Sequence, residues 1–457
     1  MRRIYAMLIV LAAAAAASCS DPDPVMPQDE PLTPDSPEGR EEVAIPDARF
    51  RAYMLENFDA DGDGRLSRYE ASLVERIDCE GDKSLGGIDY ISDATGIEAC
   101  TNLRFLNLAG NGLTGIDLSG NKLLDTLQIA MNYDLKSLDV SQNTNLEQLM
   151  CFSCSLDGLD VTANTELRDL RCGGDGVADH VLDVLDCRNN RKLEILMAGT
   201  CQMSEIHLDC PDLLSLDLHE NQIAELDIAG CHKLMSVNVY NNRISQFELQ
   251  CPDLTFLRCD GNDLETLDVS DCPKLNIFYC YGNRLRELDL SNNDEIMYLN
   301  ISDNQLTAFD ASCLPLLVEF GCYNNKLENL LIASHEIVQL RCQNNNIAEL
   351  DLTGLETLEY LDCQGNKMVS LAVDSPKLMT LDCQNNALRE LDLSKLQSLQ
   401  LLNCQENLLE ILDLSLNGNM LKLSCNPMET LKTIYLAEGQ NIRVIDKPET
   451  AEIVYKQ

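Results

Sequence analysis

Alignment of the apolar pattern L-x-x-L-x-C at its last position gives one register along most of the chain. It runs Leu108, Ile129, Cys151, Cys172, Ala198, Leu218, Val239, Cys259, Cys280, Ile301, Cys322, Cys342, Cys363, Cys383, Cys404 and Cys425. The steps are 20, 21 or 22 residues, apart from one of 26 between Cys172 and Ala198, where about five extra residues lie near Val177 to Leu182. The 457 residues would otherwise suggest several ordinary domains. A period this short overrides that expectation. No single unit can bury an apolar face alone, so the units must stack on one another into a coil with a shared core.

A typical unit is Leu381-Asp382-Cys383-Gln384-Asn385-Asn386-Ala387-Leu388-Arg389-Glu390-Leu391-Asp392-Leu393-Ser394. Each unit contributes one short parallel strand whose inward side chains stack on the same positions of adjacent turns. Ten of the sixteen register positions are Cys and the others are Leu, Ile, Val or Ala, so Cys serves here as a small hydrophobe. Disulfides are the rival reading. Neighbouring strands about 4.7–4.9 Å apart allow the Cα separation, but side chains in parallel do not readily reach the near-perpendicular dihedral, so the expectation is reduced, buried thiols. A line of thiols also lacks the convergence that zinc requires. Cys100, Cys210, Cys231, Cys251, Cys272 and Cys313 form a second column, which Asn121, Asn143 and Asn164 share. Asn111, Asn132, Asn221, Asn242, Asn262, Asn283, Asn304, Asn325, Asn345, Asn366, Asn386 and Asn407 stand three after the register position, with Cys154 and Cys201 in the same place. There an amide can satisfy backbone groups of adjacent turns. The Asp of L-D-L-S recurs as Asp117, Asp139, Asp160, Asp186, Asp227, Asp268, Asp289, Asp310, Asp351, Asp392 and Asp413. Turn capping explains it better than a calcium ladder with one carboxylate per turn.

This pattern resembles leucine-rich repeats, and the short cysteine-bearing unit is similar to the internalin type. The resemblance implies an α/β leucine-rich repeat solenoid with about sixteen short parallel strands on a concave face and loops or 3-10 turns on the convex face. It also associates the chain with surface attachment.

The charge needs a separate reading. Lys plus Arg number 34 against 75 Asp plus Glu, a formal net charge of −41, and a surface this acidic repels phosphate backbones, which excludes nucleic acid as a partner. The chain opens with Met1-Arg2-Arg3 and an apolar run from Ile4 to Ala17, the layout of a secretory signal too short to span a bilayer. Residues 1–19 end in Ala16-Ala17-Ser18-Cys19, which resembles the lipobox of bacterial lipoproteins, with Ala16 where leucine is most usual. The resemblance implies lipid on Cys19 as the only membrane anchor. With the acidic Ser20-Asp21-Pro22-Asp23, it also implies the outer-membrane surface of a Gram-negative cell. Residues 20–42 carry six prolines and read as an extended stalk.

Residues 43–78 read as a helical cap built on one loop. Asp59, Asp61 and Asp63 fall at positions 1, 3 and 5 of a twelve-residue pattern, the Arg65 carbonyl at 7, Ser67 at 9 and Glu70 at 12, with Gly64 at 6 for the sharp turn. The pattern resembles an EF-hand and implies a Ca2+ ion. The flanks Phe50 to Phe58 and Leu66 to Ile77 read as short amphipathic helices. The expected role of the ion is structural, in a cap over the apolar start of the repeats at 79–428. Residues 429–457, with Val444-Ile445-Asp446 and Ile453-Val454-Tyr455, read as a β cap over the last turn.

Recognition in a solenoid falls on strand positions that alternate outward. In the middle turns those positions hold Tyr240, Phe256, Arg258, Tyr279, Tyr281, Tyr298 and Tyr323, with Arg341 and Asp260 beside them. In a chain with only 13 Tyr and 9 Phe, this concentration marks a candidate surface. Aromatics with Arg are the makings of a protein-binding hot spot, and tyrosines also stack on sugars. Gln343, Gln364, Gln384 and Gln405 form a further column, expected as an amide ladder. The five histidines, 180, 207, 219, 232 and 335, are scattered without a nucleophile and acid in a recognisable arrangement, so no enzyme is expected. The reading is a lipid-anchored surface protein that binds a protein through its concave face. A glycan-binding lipoprotein of a carbohydrate uptake system and a non-binding envelope spacer are the alternatives.

Overall fold

The computed structural model describes residues 32–81, 90–176 and 180–456. The signal segment, Cys19, most of the stalk and part of the insertion near Val177 lie outside them.

The coil of parallel strands expected of leucine-rich repeats is what forms. Each outward–inward–outward triplet makes a three-residue strand, and the triplets pair parallel and in register from turn to turn. Phe256, Ile277, Tyr298 and Glu319 are thus successive neighbours, as are Arg258, Tyr279, Asn300 and Gly321. The front sheet has 18 strands. All sixteen register positions follow directly after a strand and are fully buried. The two strands beyond sixteen are Arg76–Asp78, which pairs with Phe105–Asn107, and Val444–Asp446, which pairs with Lys422–Ser424. The first does end in a cysteine at the register position, Cys79, but stands ahead of the run of regular repeats, and the second has Lys447 where Cys425 stands one turn earlier. The segment 429–457, expected as a β cap, is over its described residues, to 456, β structure of the same coil and extends both of its sides by a turn.

The other side of the coil is mostly loops, as expected, with short strands added in some turns. A 3-10 turn occurs at Ile97–Ala99. In some turns the back segments pair as short parallel strands: Val184–Cys187 with Glu205–Leu208, Asp310–Ala311 with Leu331–Ile332, and Glu349–Leu352 with Ser370–Val373. Ile411–Asp413, Thr433–Ala437 and Glu452–Lys456 make three such strands side by side. Alternating Leu-x-Leu suits a half-buried strand, and a parallel neighbour satisfies its backbone.

The polar columns carry the stitching. Asn283 Nδ2 donates to the Cys259 carbonyl one turn back at 3.0 Å and to Cys280 of its own turn at 3.1 Å, while its Oδ1 accepts from Leu264 N at 3.1 Å. The other asparagines of that column repeat these bonds. In the turn with the insertion, His180 stands in for the missing amide: it is buried, with Nε2 2.7 Å from the Cys172 carbonyl and Nδ1 3.0 Å from that of Cys154. The Asp of L-D-L-S caps the turn throughout, as where Asp268 Oδ1 accepts from Ser270 N at 2.9 Å. The twenty cysteines among the described residues are free thiols. Burial pushes Cys100 and Cys201 up to about 12 and the fully enclosed ladder thiols well above their usual range, so they remain protonated and unreactive.

At the amino-terminal end, helix α1 (Ala48–Phe58) starts where the Asp47 carboxylate accepts from Arg49 N and Phe50 N. Helix α2 (Arg68–Ser72) is shorter than the Leu66 to Ile77 expected from sequence. It stops at Leu73 because Ile77 is required as the buried centre of the first front strand. Phe50, Met54, Leu66, Ala71 and Val74 join one continuous core with Ile77, Ile91 and Leu103. Among the described residues no helix is long and apolar enough to cross a membrane.

Candidate functional site

The front sheet presents three outward columns: the residues before and after each central leucine, and the residue after each register position. Where Tyr and Arg fall in adjacent columns over consecutive turns, their side chains meet. The Arg258 guanidinium lies over the Tyr240 ring, 3.8 Å from its centroid. Its Nε donates to Asp260 Oδ1 at 2.8 Å, and its Nη2 donates to the Tyr281 hydroxyl at 3.3 Å. On its other side Tyr240 stacks against His219, with centroids 5.0 Å apart and rings 12° from parallel. Tyr281, Arg258, Tyr240 and His219 therefore form a continuous π and cation staircase across four turns.

Its members are held from beneath. The Asp260 side chain is 1% exposed, yet it supports a guanidinium that is 22% exposed, so the charge reaches the surface already oriented. Burial acts to lower the Arg258 pKa, but the Asp260 carboxylate outweighs it and the group stays firmly charged. His219 Nδ1 bonds Asp217 Oδ1, whose other oxygen accepts from Asn238 Nδ2 at 3.2 Å. His219 Nε2 lies 3.4 Å from Thr200 Oγ1. Burial alone would lower the His219 pKa, and the bond to Asp217 reverses that, leaving it above the usual imidazole value. Tyr279 and Tyr281 keep their hydroxyl protons more firmly than an exposed tyrosine, chiefly because they are partly buried.

Of the residues expected at this surface, Arg258 touches both Tyr240 and Tyr281. Phe256, Tyr279 and Tyr298 flank them on the same sheet, all half-buried. Tyr323 and Arg341 stand further along, and the Arg341 guanidinium lies 5.0 Å from the Tyr360 ring centroid, a second and looser pair. The sequence reading missed His219. It occupies the same outward column as Tyr240 and Tyr281, and a lone histidine there carries no motif that marks it. The glutamine column is a ladder at one step only: Gln384 Nε2 donates to Gln364 Oε1 at 2.5 Å, while Gln364 bonds Asp362 and Gln405 bonds the Asn426 carbonyl. Burial raises the pKa of the neighbouring Asp362 and Asp382.

In the loop 59–70, carboxylate oxygens of Asp59, Asp61 and Asp63 lie within 4.8 Å of one another. Each also holds the loop backbone. Asp59 accepts from Gly62 N and Gly64 N, both at 2.9 Å, Asp61 from Asp63 N at 3.0 Å, and Asp63 from Arg65 N at 2.8 Å. Glu70 is engaged differently, accepting from Ala60 N and the Ser67 hydroxyl at 2.8 Å each and from Ser67 N at 2.9 Å. It ties the two ends of the loop together, and these bonds outweigh its burial to lower its pKa. Beside the loop, Val43 N donates to the Leu66 carbonyl at 2.8 Å, giving the exit from the loop an antiparallel partner.

Comparison with known proteins places the architecture. The leucine-rich repeat family model matches residues 102–124. The functional domain of InlJ from Listeria monocytogenes, described as including a cysteine ladder, is 28% identical. The match covers 86% of this chain and 75% of that one, with a TM-score of 0.54. The internalin inlF of the same species is 20% identical over 78% of this chain and 95% of its own, with a TM-score of 0.51. YopM from Yersinia enterocolitica is 18% identical over 89% and 94%, with a TM-score of 0.59. No curated protein matches the chain in sequence.

Proposed function

We propose that this chain is a surface protein of the cell envelope that recognises a protein partner through the front sheet, centred on Tyr240, Arg258 and Tyr281. The observation that carries the reading is the pre-organised staircase. An arginine fixed by a buried carboxylate, laid over one tyrosine ring and bonded to the hydroxyl of another, has already lost the side-chain freedom that binding would otherwise cost, about 0.5–1.5 kcal/mol per side chain. Tyr and Arg held this way are the residue types that dominate protein interfaces. Eighteen strands at about 4.8 Å give a sheet roughly 80 Å long, ample for a macromolecule. The likeness to InlJ, at 28% identity, favours display at a bacterial surface. In this reading lipid on Cys19 is the anchor and residues 20–42 are the stalk.

The Asp59, Asp61 and Asp63 carboxylates, with the Arg65 carbonyl, Ser67 and Glu70, would hold a Ca2+ ion, which supplies fixed charge to a loop of convergent anions. The loop joins α1 to α2, and both helices pack on the first turns of the coil. The ion's role is therefore to hold the cap.

The test is a pull-down from envelope and mucosal extracts with wild type and with Tyr240→Ala combined with Arg258→Ala, alongside a glycan array. Capture of a specific protein that the double variant loses, with its melting temperature kept, supports the reading. Retention of a specific glycan with no protein captured would overturn it.

A further inference from the structure

The two outermost strands at the carboxy-terminal end are open. Among the described residues no strand pairs with the outer edge of Val444–Asp446 in the front sheet or of Glu452–Lys456 on the other side. The core-facing side chains of this turn are also incompletely covered: Ile445 and Ile453 are half-buried, and Tyr455 is 59% exposed. An edge of this kind is a template for another strand.

We propose that the occupant is a second copy of this chain, with Glu452–Lys456 pairing antiparallel to itself about a two-fold axis at Val454. Three features of the strand agree on that register. The first is the backbone. Glu452 N donates to the Lys432 carbonyl and the Lys456 carbonyl accepts from Glu438 N, so residues 452, 454 and 456 direct their backbone groups into the existing sheet. By alternation, Ile453 and Tyr455 direct theirs to the open edge. A two-fold axis at Val454 sets Ile453 opposite Tyr455 of the second copy, so the outward donors and acceptors meet as hydrogen-bonded pairs.

The second feature is charge. The same axis sets Glu452 opposite Lys456 of the second copy at both ends of the pairing, and opposite charges placed across strands are favourable. Lys456 lies on that face with its ammonium turned inward, paired with Asp413 and 4.2 Å from the Tyr435 ring centroid, so on pairing it would swing outward to exchange Asp413 for Glu452 of the second copy. The third is the pleat. Ile453 and Tyr455 share the core side, so in the pair each half-covered apolar side chain lies against the other. The three strands Ile411–Asp413, Thr433–Ala437 and Glu452–Lys456 would join their copies in one sheet. The result is an isologous interface, in which the same patch serves both partners. A strand of another sequence would have no reason to match the acid, apolar and base order of Glu452-Ile453-Val454-Tyr455-Lys456 read backwards.

Sedimentation velocity of the purified protein across a wide concentration range tests this. The expected result is a reversible monomer–dimer equilibrium. Glu452→Lys places Lys opposite Lys and should shift the protein to monomer, and adding Lys456→Glu to it should restore the dimer, since the pair is then reversed but complementary. Val454→Cys stands opposite its own copy in a non-hydrogen-bonded pair, where Cα atoms approach to about 4.5 Å, so mild oxidation should give a disulfide-linked dimer. Thermal melts of each variant show that the fold is kept. A protein that stays monomeric throughout overturns the proposal. So does a dimer that survives Glu452→Lys while Val454→Cys fails to cross-link, because its interface then lies elsewhere.

Discussion

The two ends of this coil meet the same physical problem and solve it differently. Stacked turns leave one uncovered apolar cross-section at each end. At the amino-terminal end Ile77 and Ile97 are fully buried and Ile91 nearly so, because Phe50, Met54 and the helix that carries them lie across the first turn. At the carboxy-terminal end the corresponding side chains, Ile445 and Ile453, remain half-covered, with Val444 and Tyr455 largely exposed. One end is closed by structure borrowed from outside the repeat, and the other continues the repeat to an open edge. In a quasi-one-dimensional fold each turn leans only on its neighbours, so this difference decides where unfolding begins. The carboxy-terminal turns should fray first, while the amino-terminal turns open only when the cap lifts.

The strongest way to break that asymmetry is to hollow out the cap. Phe50 is fully buried, so Phe50→Ala should destabilise the protein by about 3–5 kcal/mol. By contrast Tyr455→Ala, at a position 59% exposed, should cost no more than about 0.5 kcal/mol in dilute monomer. Urea unfolding of the two variants measures both, and equal losses would show that the ends are equivalent. Calcium should act at one end alone. With free Ca2+ about 100 times the dissociation constant, binding stabilises by about 2.7 kcal/mol. A chelator should therefore lower the melting temperature and speed amide exchange around Ile91 and Ile97, leaving exchange in Thr433–Ala437 unchanged. Asp59→Ala should abolish the response. A melting temperature that chelator does not move would remove the ion from the account of the cap.

The middle of the chain was legible because the repeat states each position sixteen times: one cysteine or leucine in error changes nothing in the register. The ends were harder to read because the pattern ceases there. Arg76–Asp78 is a front strand, but it was absorbed into an expected helix from Leu66 to Ile77 because its single buried Ile77 fits either period. Val444–Asp446 lacks the following Cys and Asn, and so read as a separate cap. The candidate surface was half legible. Outward columns follow from alternation alone, which placed Tyr240, Arg258 and Tyr281 on one face. What alternation does not give is which neighbours touch. The stack of His219 on Tyr240 and the buried Asp260 under Arg258 depend on side-chain reach across turns, and the same reach divides Arg341 and Tyr360 from the main cluster.

The smallest effect concerns the latch between cap and coil. Asp47 caps α1 and also accepts from Ser92 N at 2.9 Å and the Ser92 hydroxyl at 3.0 Å, so one carboxylate holds both the helix start and the turn beneath it. Burial alone would raise its pKa, but the N–H groups of Phe50, Ser92 and Arg49 and the Ser92 hydroxyl together bring it below the ordinary carboxylate range. A depressed folded pKa means that the stabilisation is fully present above the unfolded value of about 3.9 and is lost as pH falls through the folded one. Asn can still cap the helix, so Asp47→Asn should cost only the charge-assisted part of these bonds, about 1 kcal/mol at neutral pH, and the deficit should shrink as wild type itself becomes protonated in acid. Amide exchange at Arg49, Phe50 and Ser92 should rise in the variant at neutral pH, with no change at Val444–Asp446. A deficit that stays constant down to acid pH would mean that Asp47 acts through shape alone. The closure of the amino-terminal end would then owe nothing to its charge.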